Sequence, residues 1–258
     1  MNERTRSSRR RFLARALGAA GALFLAGCER LSESQWFPKV LAAGERLSEA
    51  AQTLVTGRKA MAQEFSEADL SPSFRSNGTA EPDSEAYAAL AAKGFADYKL
   101  EVGGLAASPR SFSLAELRAL ESRTQITRHD CVEGWSAIGK WKGAKLSAVL
   151  DAVKVKPEAC YVVFYCADPM ADDGTDLYYE SIDMDDAWHP QTILAYELNG
   201  EALPIKNGAP VRLRVERQLG YKHAKYVMKI ELVDSFAHIA GGNGGYWEDQ
   251  GYQWYAGI

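Results

Sequence analysis

One dipeptide constrains the fold more than any other feature: Asn199-Gly200 stands between two strand-like runs, Ile193–Leu198 and Glu201–Ile205. Both residues tolerate the positive φ of a tight two-residue turn, so the chain folds back there as an antiparallel hairpin. Strand signals continue on either side. Val211–Val215 (VRLRV) and Val227–Val233 (VMKIELV) alternate, and Tyr161–Cys166 (YVVFYC) is apolar and β-rich throughout, the mark of a buried strand. Leu100 and Val102 alternate with charged neighbours, and residues 124–130 (TQITRHD) read as a strand entering a loop. Helices are short: one near 84–93 closed by Gly94, one at Leu114–Leu120 opened by a Ser113/Glu116 capping box, one at Lys145–Val153. Strands with short interspersed helices and no internal repeat predict an α+β, mixed-sheet fold.

The N-terminus reads as an address. Ser8-Arg9-Arg10-Arg11-Phe12-Leu13 matches the twin-arginine export pattern, and the uncharged run Ala16–Gly27 follows it. That run is shorter than the about 20 apolar residues of a spanning helix. It ends in Leu25-Ala26-Gly27-Cys28, a bacterial lipobox, in which the cysteine is lipidated. The competing readings are a plain signal peptide with a chance cysteine and an uncleaved anchor. Residues 1–27 are therefore predicted as a twin-arginine signal peptide with a lipobox at 25–28, 28–75 as a helical extension and linker, and 76–258 as one domain. Within 29–60, Trp36, Phe37, Val40, Leu41, Leu47, Ala51, Leu54 and Val55 recur at helical spacing. This amphipathic face is expected to dock on the main domain, because the segment is not rich in basic residues. Residues 66–83 are a polar loop. The expected location is the periplasm, with lipid on Cys28 as a membrane tether.

A net charge of −4 over 258 residues argues against nucleic acid as a partner, since a phosphate-tracking surface needs a basic excess. The four cysteines, Cys28, Cys131, Cys160 and Cys166, show no CxxC spacing, which removes the common zinc, thioredoxin-like and haem signals. Cys160 and Cys166 lie six residues apart on one predicted strand, about 20 Å at the usual rise and beyond disulfide reach. Cys131 stands in His129-Asp130-Cys131-Val132-Glu133-Gly134-Trp135-Ser136, with Arg128, His129 and Lys140 near enough to favour a thiolate. On the residues alone it is a metal ligand, a nucleophile or an inert thiol, with equal weight. Likewise Arg212 and Lys225 alone read as solvated strand cations, Asn207-Gly208 as a turn, and Cys166 as a small buried strand residue.

Two long segments, TRHDCVEGWSAIGKWKGAKLSAVL at 127–150 and HPQTILAYELNGEALPIKNGAPVRLRVERQLGYKHAKYVMKIELVD at 189–234, resemble the sulfite oxidase family of molybdopterin-dependent oxidoreductases. That family includes a periplasmic methionine sulfoxide reductase, and the resemblance covers roughly 76–258. It implies a mixed α+β domain around one molybdopterin without a nucleotide. It makes Cys131 the catalytic thiolate on the molybdenum, where a soft ligand suits a metal that changes oxidation state. It places Asn77, Cys166, Asn207, Arg212, His223, Ala224 and Lys225 on the cofactor, with Arg212 and Lys225 at its phosphate. Cys166 is a departure, since the methionine sulfoxide reductase subgroup has threonine there. The implied chemistry is two-electron oxygen-atom transfer on a small substrate, sulfite-like or an S- or N-oxide. Neither a haem domain nor an immunoglobulin-like dimerisation domain is expected. A monomer exchanging electrons with a membrane cytochrome or quinone-linked carrier follows. The alternative is a non-catalytic exported lipoprotein that keeps the fold as a binding module.

The substrate side is thinner. His129 is expected to face the pocket, and Tyr221 and Lys222 to lie near the metal. Arg128 and Arg217 do not match the family's sulfite-binding arginines closely enough to carry that role. His189 reads as a turn residue, Asp172-Asp173-Gly174 as a loop with a weak metal signal, and the aromatic run 241–258 as simple packing or a wrap around the pocket mouth or a partner surface.

Overall fold

The computed structural model describes residues 34, 36–57, 59–171 and 176–258. The export signal, Arg9, Arg10, the lipobox with Cys28, and Asp172-Asp173-Gly174 lie outside the described residues. The chain divides into two compact units, Met1–Val55 and Thr56–Ile258. In the first, the described chain is a helix, α1 (Phe37–Thr56), shorter than the expected 29–60. Pro38 sits in its first turn, where a missing N–H costs no intrahelical bond. No helix among the described residues is long and apolar enough to cross a membrane.

The second unit carries two five-stranded sheets. In chain order its elements are α2 (Glu85–Ala92), β1 (Lys99–Gly104), β2 (Arg110–Ser113), α3 (Leu114–Ala119), β3 (Ser122–Cys131), β4 (Trp135–Lys145) and α4 (Leu146–Val153). Then come β5 (Tyr161–Pro169), β6 (Leu177–Asp183), α5 (Met184–Ala187), β7 (Ile193–Leu198), β8 (Glu201–Ala202), β9 (Arg212–Arg214), β10 (Val227–Val233) and α6 (Tyr246–Asp249). One sheet runs β2-β1-β10-β5-β6; the other runs β3-β4-β7-β8, with β9 beside β7. The expected α+β class holds. The main core joins Leu100 and Val102 of β1, Val162 and Phe164 of β5, and Ile230 and Leu232 of β10 to the helices and to Leu194 and Leu213 of the other sheet. α4 supplies Leu146, Val149, Leu150 and Val153, the three- and four-residue spacing of one buried helix face. Each such side chain contributes about 1.5–3 kcal/mol on burial.

Local signals and structure agree at the sharpest points. Asn199 and Gly200 take φ of 54° and 86°, and Leu198 pairs with Glu201 across the turn. Both bonds of the Ser113/Glu116 capping box are present.

Several strands, β2 among them, are corrections. The sequence reading leaves Cys131 in a loop and has no element over 135–144. The structure instead runs an antiparallel ladder from Ser122↔Ala144 to Cys131↔Trp135, so Cys131 ends β3 and the turn is 132–134, with Gly134 at φ 83°. The inward positions of β4 are Ala137, Gly139, Trp141 and Gly143, and with Trp141 the one large side chain the other three are too small for an apolar alternation to show. Their smallness is required. A Cβ on Gly139 would lie 2.9 Å from the Phe74 ring, and one on Gly143 would lie 2.2 Å from the Leu194 carbonyl. β6 is likewise absent from the sequence reading, and β8 is shorter than the expected run to Ile205. Residues 62–71 are built into this unit: Phe65 N–H donates to Ile126 O at 2.9 Å, and Ser71 N–H to Ile138 O at 3.1 Å.

Candidate active site

The β3–β4 hairpin tip, the end of β5, the turn between β9 and β10, the segment 77–79 and the C-terminal run meet around one cavity of about 180 Å³. Cys131, Asn77, Asp168, Tyr178, Tyr221, His223, Lys225, Trp247 and Tyr252 line it. Gly78, Val132, Glu133 and Tyr252 are its exposed members and form the rim. Among the described residues no arginine lines the cavity, and Lys225 is the one lysine that does.

A buried polar bed orients this wall. Arg214 is fully buried and grips Glu216 twice, Nε to Oε1 at 2.9 Å and Nη2 to Oε2 at 2.5 Å. Its Nη1 reaches His129 Nδ1 at 3.0 Å. Arginine only donates, so Nδ1 accepts and the His129 proton sits on Nε2. His129 is two residues before Cys131 on the same face of β3, so this bond also steadies the strand end that presents the thiol. Burial, then Arg214 and Arg212, hold His129 far below the usual histidine range and keep it neutral. Its ring meets that of His223 edge-on, centroids 5.0 Å apart. His223 Nε2 faces Gln218 O at 3.1 Å, which makes it the donor and leaves Nδ1 as a lone-pair acceptor. Gly220 makes room: a Cβ there would stand 2.6 Å from His129 Nε2.

Arg212 is also fully buried. Nη1 donates to Asn207 O at 3.0 Å and Nη2 to His223 O at 3.2 Å, while the guanidinium stands 5.1 Å over Trp141. It thereby ties Asn207 to the His223 turn. Gly208, at φ 108°, admits it: a Cβ there would lie 2.9 Å from Lys225 Cβ and 3.1 Å from Arg212 Cβ. Lys225 Nζ donates to Thr79 O, to Lys206 O at 3.3 Å and toward Tyr226 Oη at 3.5 Å. Burial and Arg212 push Lys225 down to about 7, and burial pushes Asp168 up to about 6.

Of the sequence-singled residues, Cys131, Asn77, His223 and Lys225 line the cavity, and Tyr221 joins them. Asn207, Arg212 and Ala224 stand behind the wall, and Cys166 is buried in the main core, its thiol pushed well up by burial and by Asp168. His129 is buried and lies outside the lining, in contrast to its expected place. Lys222 is turned away into a carboxylate cluster. The cations expected near Cys131 are engaged elsewhere, Arg128 with Asp130 and Lys140 with Glu67. Burial raises the Cys131 thiol, only partly offset by backbone N–H groups of Glu133 and Val132 and by Arg75. Arg217 pairs with Asp186, and His189 Nε2 meets Ala60 O at 3.1 Å, as befits a turn residue. Sequence reasoning missed Asp168 and Tyr178 as wall residues, whereas Trp247 and Tyr252 lie in the run 241–258 that it offered as a wrap of the pocket mouth. Only the Asp168 signal, a carboxylate closing a buried apolar strand, was available to it.

The chain matches the family model described as oxidoreductase molybdopterin binding domain over residues 88–238. It is 36% identical over 97% of its length to an Azospira oryzae protein named as a putative protein-methionine-sulfoxide reductase subunit, covering 88% of that protein. It is 33% identical to the protein-methionine-sulfoxide reductase catalytic subunit of Ralstonia nicotianae, over 88% of this chain and 69% of that one. The match to the same subunit of Xanthomonas axonopodis pv. citri is 38% identical and covers 55% of this chain and 47% of that one.

Proposed function

This chain belongs to the family of molybdopterin-binding oxidoreductases, and we propose that within it the protein reduces a neutral sulfoxide, with methionine sulfoxide as the fitting side chain. The residues present fit the cofactor. Asn77 Oδ1, Asp168 Oδ1, His223 Nδ1, Asn207 Nδ2 and Arg212 Nε are all buried without a hydrogen-bond partner, and the first three belong to lining residues. A buried polar group left so costs about 1–3 kcal/mol. The acceptors suit the N–H edge of a pterin, and the buried cations Arg212 and Lys225 suit its phosphate. Cys131 supplies the thiolate. When bound, molybdopterin supplies the two-electron exchange.

The observation that carries the substrate reading is the charge of the wall. Sulfite is an anion and calls for free cations. Among the described lining residues there is no arginine, Lys225 is committed to protein acceptors and the cofactor phosphate, and Glu133 at the rim opposes the field of Arg75 at Cys131. Tyr178, Tyr221, Trp247, Tyr252, Val132 and Met170 instead offer apolar and aromatic surface to a thioether-like chain. The names of the relatives support the same reading. The overall reaction takes two electrons and two protons and releases a sulfide and water. The electrons come from a separate membrane-bound carrier outside the cytoplasmic membrane. Delivery there is by the twin-arginine signal, with lipid on Cys28 as tether. Replacing Arg9 and Arg10 by lysine should hold the protein in the cytoplasm.

The test is purified, cofactor-loaded protein assayed in both directions with artificial carriers. The reading expects methionine sulfoxide reduction and no sulfite oxidation. Sulfite turnover without sulfoxide reduction would overturn it.

A further inference from the structure

A second ionic cluster lies behind the cavity wall. Lys222 Nζ donates to Glu180 Oε1 at 2.5 Å and to Glu248 Oε1 at 2.6 Å, and all three side chains are at most 1% exposed. The remaining oxygens, Glu180 Oε2 and Glu248 Oε2, are buried without a partner. Gly245 closes over the pair: a Cβ there would lie 2.1 Å from Glu248 Oε2 and 2.8 Å from Glu180 Oε1. The Trp254 ring covers the ammonium at 5.2 Å.

Two carboxylates share one ammonium. With both ionised, the cluster would bury an uncompensated negative charge, which costs several kcal/mol per ion. One retained proton removes that charge. Burial, with Glu248 beside it, pushes Glu180 well above the carboxylate range against the pull of Lys222. Burial alone would lower Lys222, but the two carboxylates outweigh it and raise it. The other titratable groups that feel the pair are Tyr178 and Tyr179 of β6 and Cys166 of β5, all weak acids kept neutral by burial. Asp249 beside Tyr179 adds a further acid, and none of these supplies a second cation.

The cluster also joins three pieces of the wall. Lys222 lies between Tyr221 and His223, Glu180 is two residues along β6 from Tyr178, and Glu248 follows Trp247. We propose that Glu180, Lys222 and Glu248 form a proton-holding positioning site: Lys222 pins the Trp247 wall to the turn that carries Tyr221 and His223, and the two carboxylates keep one proton between them. As pH rises through the raised value of Glu180, that proton leaves. Repulsion between the carboxylates then loosens Glu248, and Trp247 with it. The substrate wall is thus firm while that proton is held and slack once it has left. Only the kinetic readout rests on the sulfoxide reading; the proton itself is read by spectroscopy.

The experiment uses full-length, cofactor-loaded protein titrated upward from about pH 7, above the value of about 6 to which burial pushes Asp168. Infrared difference spectra should show the carbonyl stretch of a protonated carboxylic acid, and Glu248→Gln should abolish it. Glutamine keeps the bond from Lys222 and removes the need for a proton. The rise in KM for methionine sulfoxide as that proton leaves should vanish in Glu248→Gln, with kcat and molybdenum content unchanged. Lys222→Met should raise KM about tenfold at retained molybdenum content. Absence of the protonated-acid band in the wild type, or its persistence in both Glu248→Gln and Glu180→Gln, overturns the proposal even if Lys222→Met fails to fold. Variants that lose thermal stability with KM and its pH profile unmoved would reduce the cluster to a structural tie and overturn it as well.

Discussion

Two fully buried ionic clusters flank one cavity and are built to different ratios. Behind the hairpin that presents Cys131, Arg214 meets Glu216 one to one. Gln125 donates to Glu216 at 2.9 Å and His129 accepts from Arg214 at 3.0 Å. Behind the aromatic wall, Lys222 meets two carboxylates and two oxygens stay unpaired. The first cluster is neutral with no proton to spare, so its role is orientation: it fixes the tautomer of His129 and through it the His223 edge. The second is neutral only with an extra proton, so its geometry depends on pH. Burial is the same in both, and each holds an orphaned polar atom, His129 Nε2 in the first and the two carboxylate oxygens in the second; it is the ratio of charges that separates an orienting pair from a titrating one.

The sharpest way to break the balanced cluster is Arg214→Ala. It strands Glu216 with no cation and only the Gln125 bond, which costs about 3–5 kcal/mol, and the apparent Tm should fall by on the order of 10 °C. A loss within experimental error in thermal unfolding would show that Glu216 is not held as a buried ion. Arg212 is next. It carries charge without a buried carboxylate partner of its own and engages two backbone carbonyls. Arg212→Ala should lower cofactor occupancy by about tenfold or more, the worth of a charge-assisted bond, with the rate per bound molybdenum near wild type. Full molybdenum content with a large loss of rate would move Arg212 to the substrate. Gly220→Ala tests the packing of the orienting side. Its Cβ would press on His129 Nε2, costing about 1–3 kcal/mol, with partial loss of cofactor; an unchanged melting curve would mean His129 has room to move.

The smallest effect concerns Asp168. Its folded value, about 6, lies above the ordinary 3.8. The folded cofactor-free protein therefore holds more protons than the unfolded chain between those values, and stability falls as pH rises through that window. Asp168→Asn should flatten that slope in urea titrations across about pH 4 to 6. An unaltered slope would assign it to other carboxylates, Asp183 among them, which burial also raises to about 6.

How much of this was legible depended on where side chains carry the signal. Asn199-Gly200, the Ser113/Glu116 box and YVVFYC announce themselves because turn, cap and buried strand are local events. β4 did not, because its inward face is largely alanine and glycine fitted against Phe74 and Leu194. No period-two count registers a missing side chain. Cys131, Asn77, His223 and Lys225 reach one cavity, but chemistry at each position came through family resemblance, not spacing. The run holding Trp247 and Tyr252 was legible only as one of several alternatives, and the second partner of Lys222 not at all, for a different reason. They depend on the C-terminal run returning to β6, a contact between distant parts of the chain that no local pattern encodes.

The central claim is that Cys131 is the protein's sulfur ligand to molybdenum in a redox enzyme. X-ray absorption at the molybdenum edge tests it most directly, on loaded wild type and Cys131→Ser purified alike. The account predicts that the variant keeps pterin and metal, loses one sulfur scatterer in favour of a lighter atom, and reduces no methionine sulfoxide. An unchanged sulfur shell with wild-type turnover would contradict it.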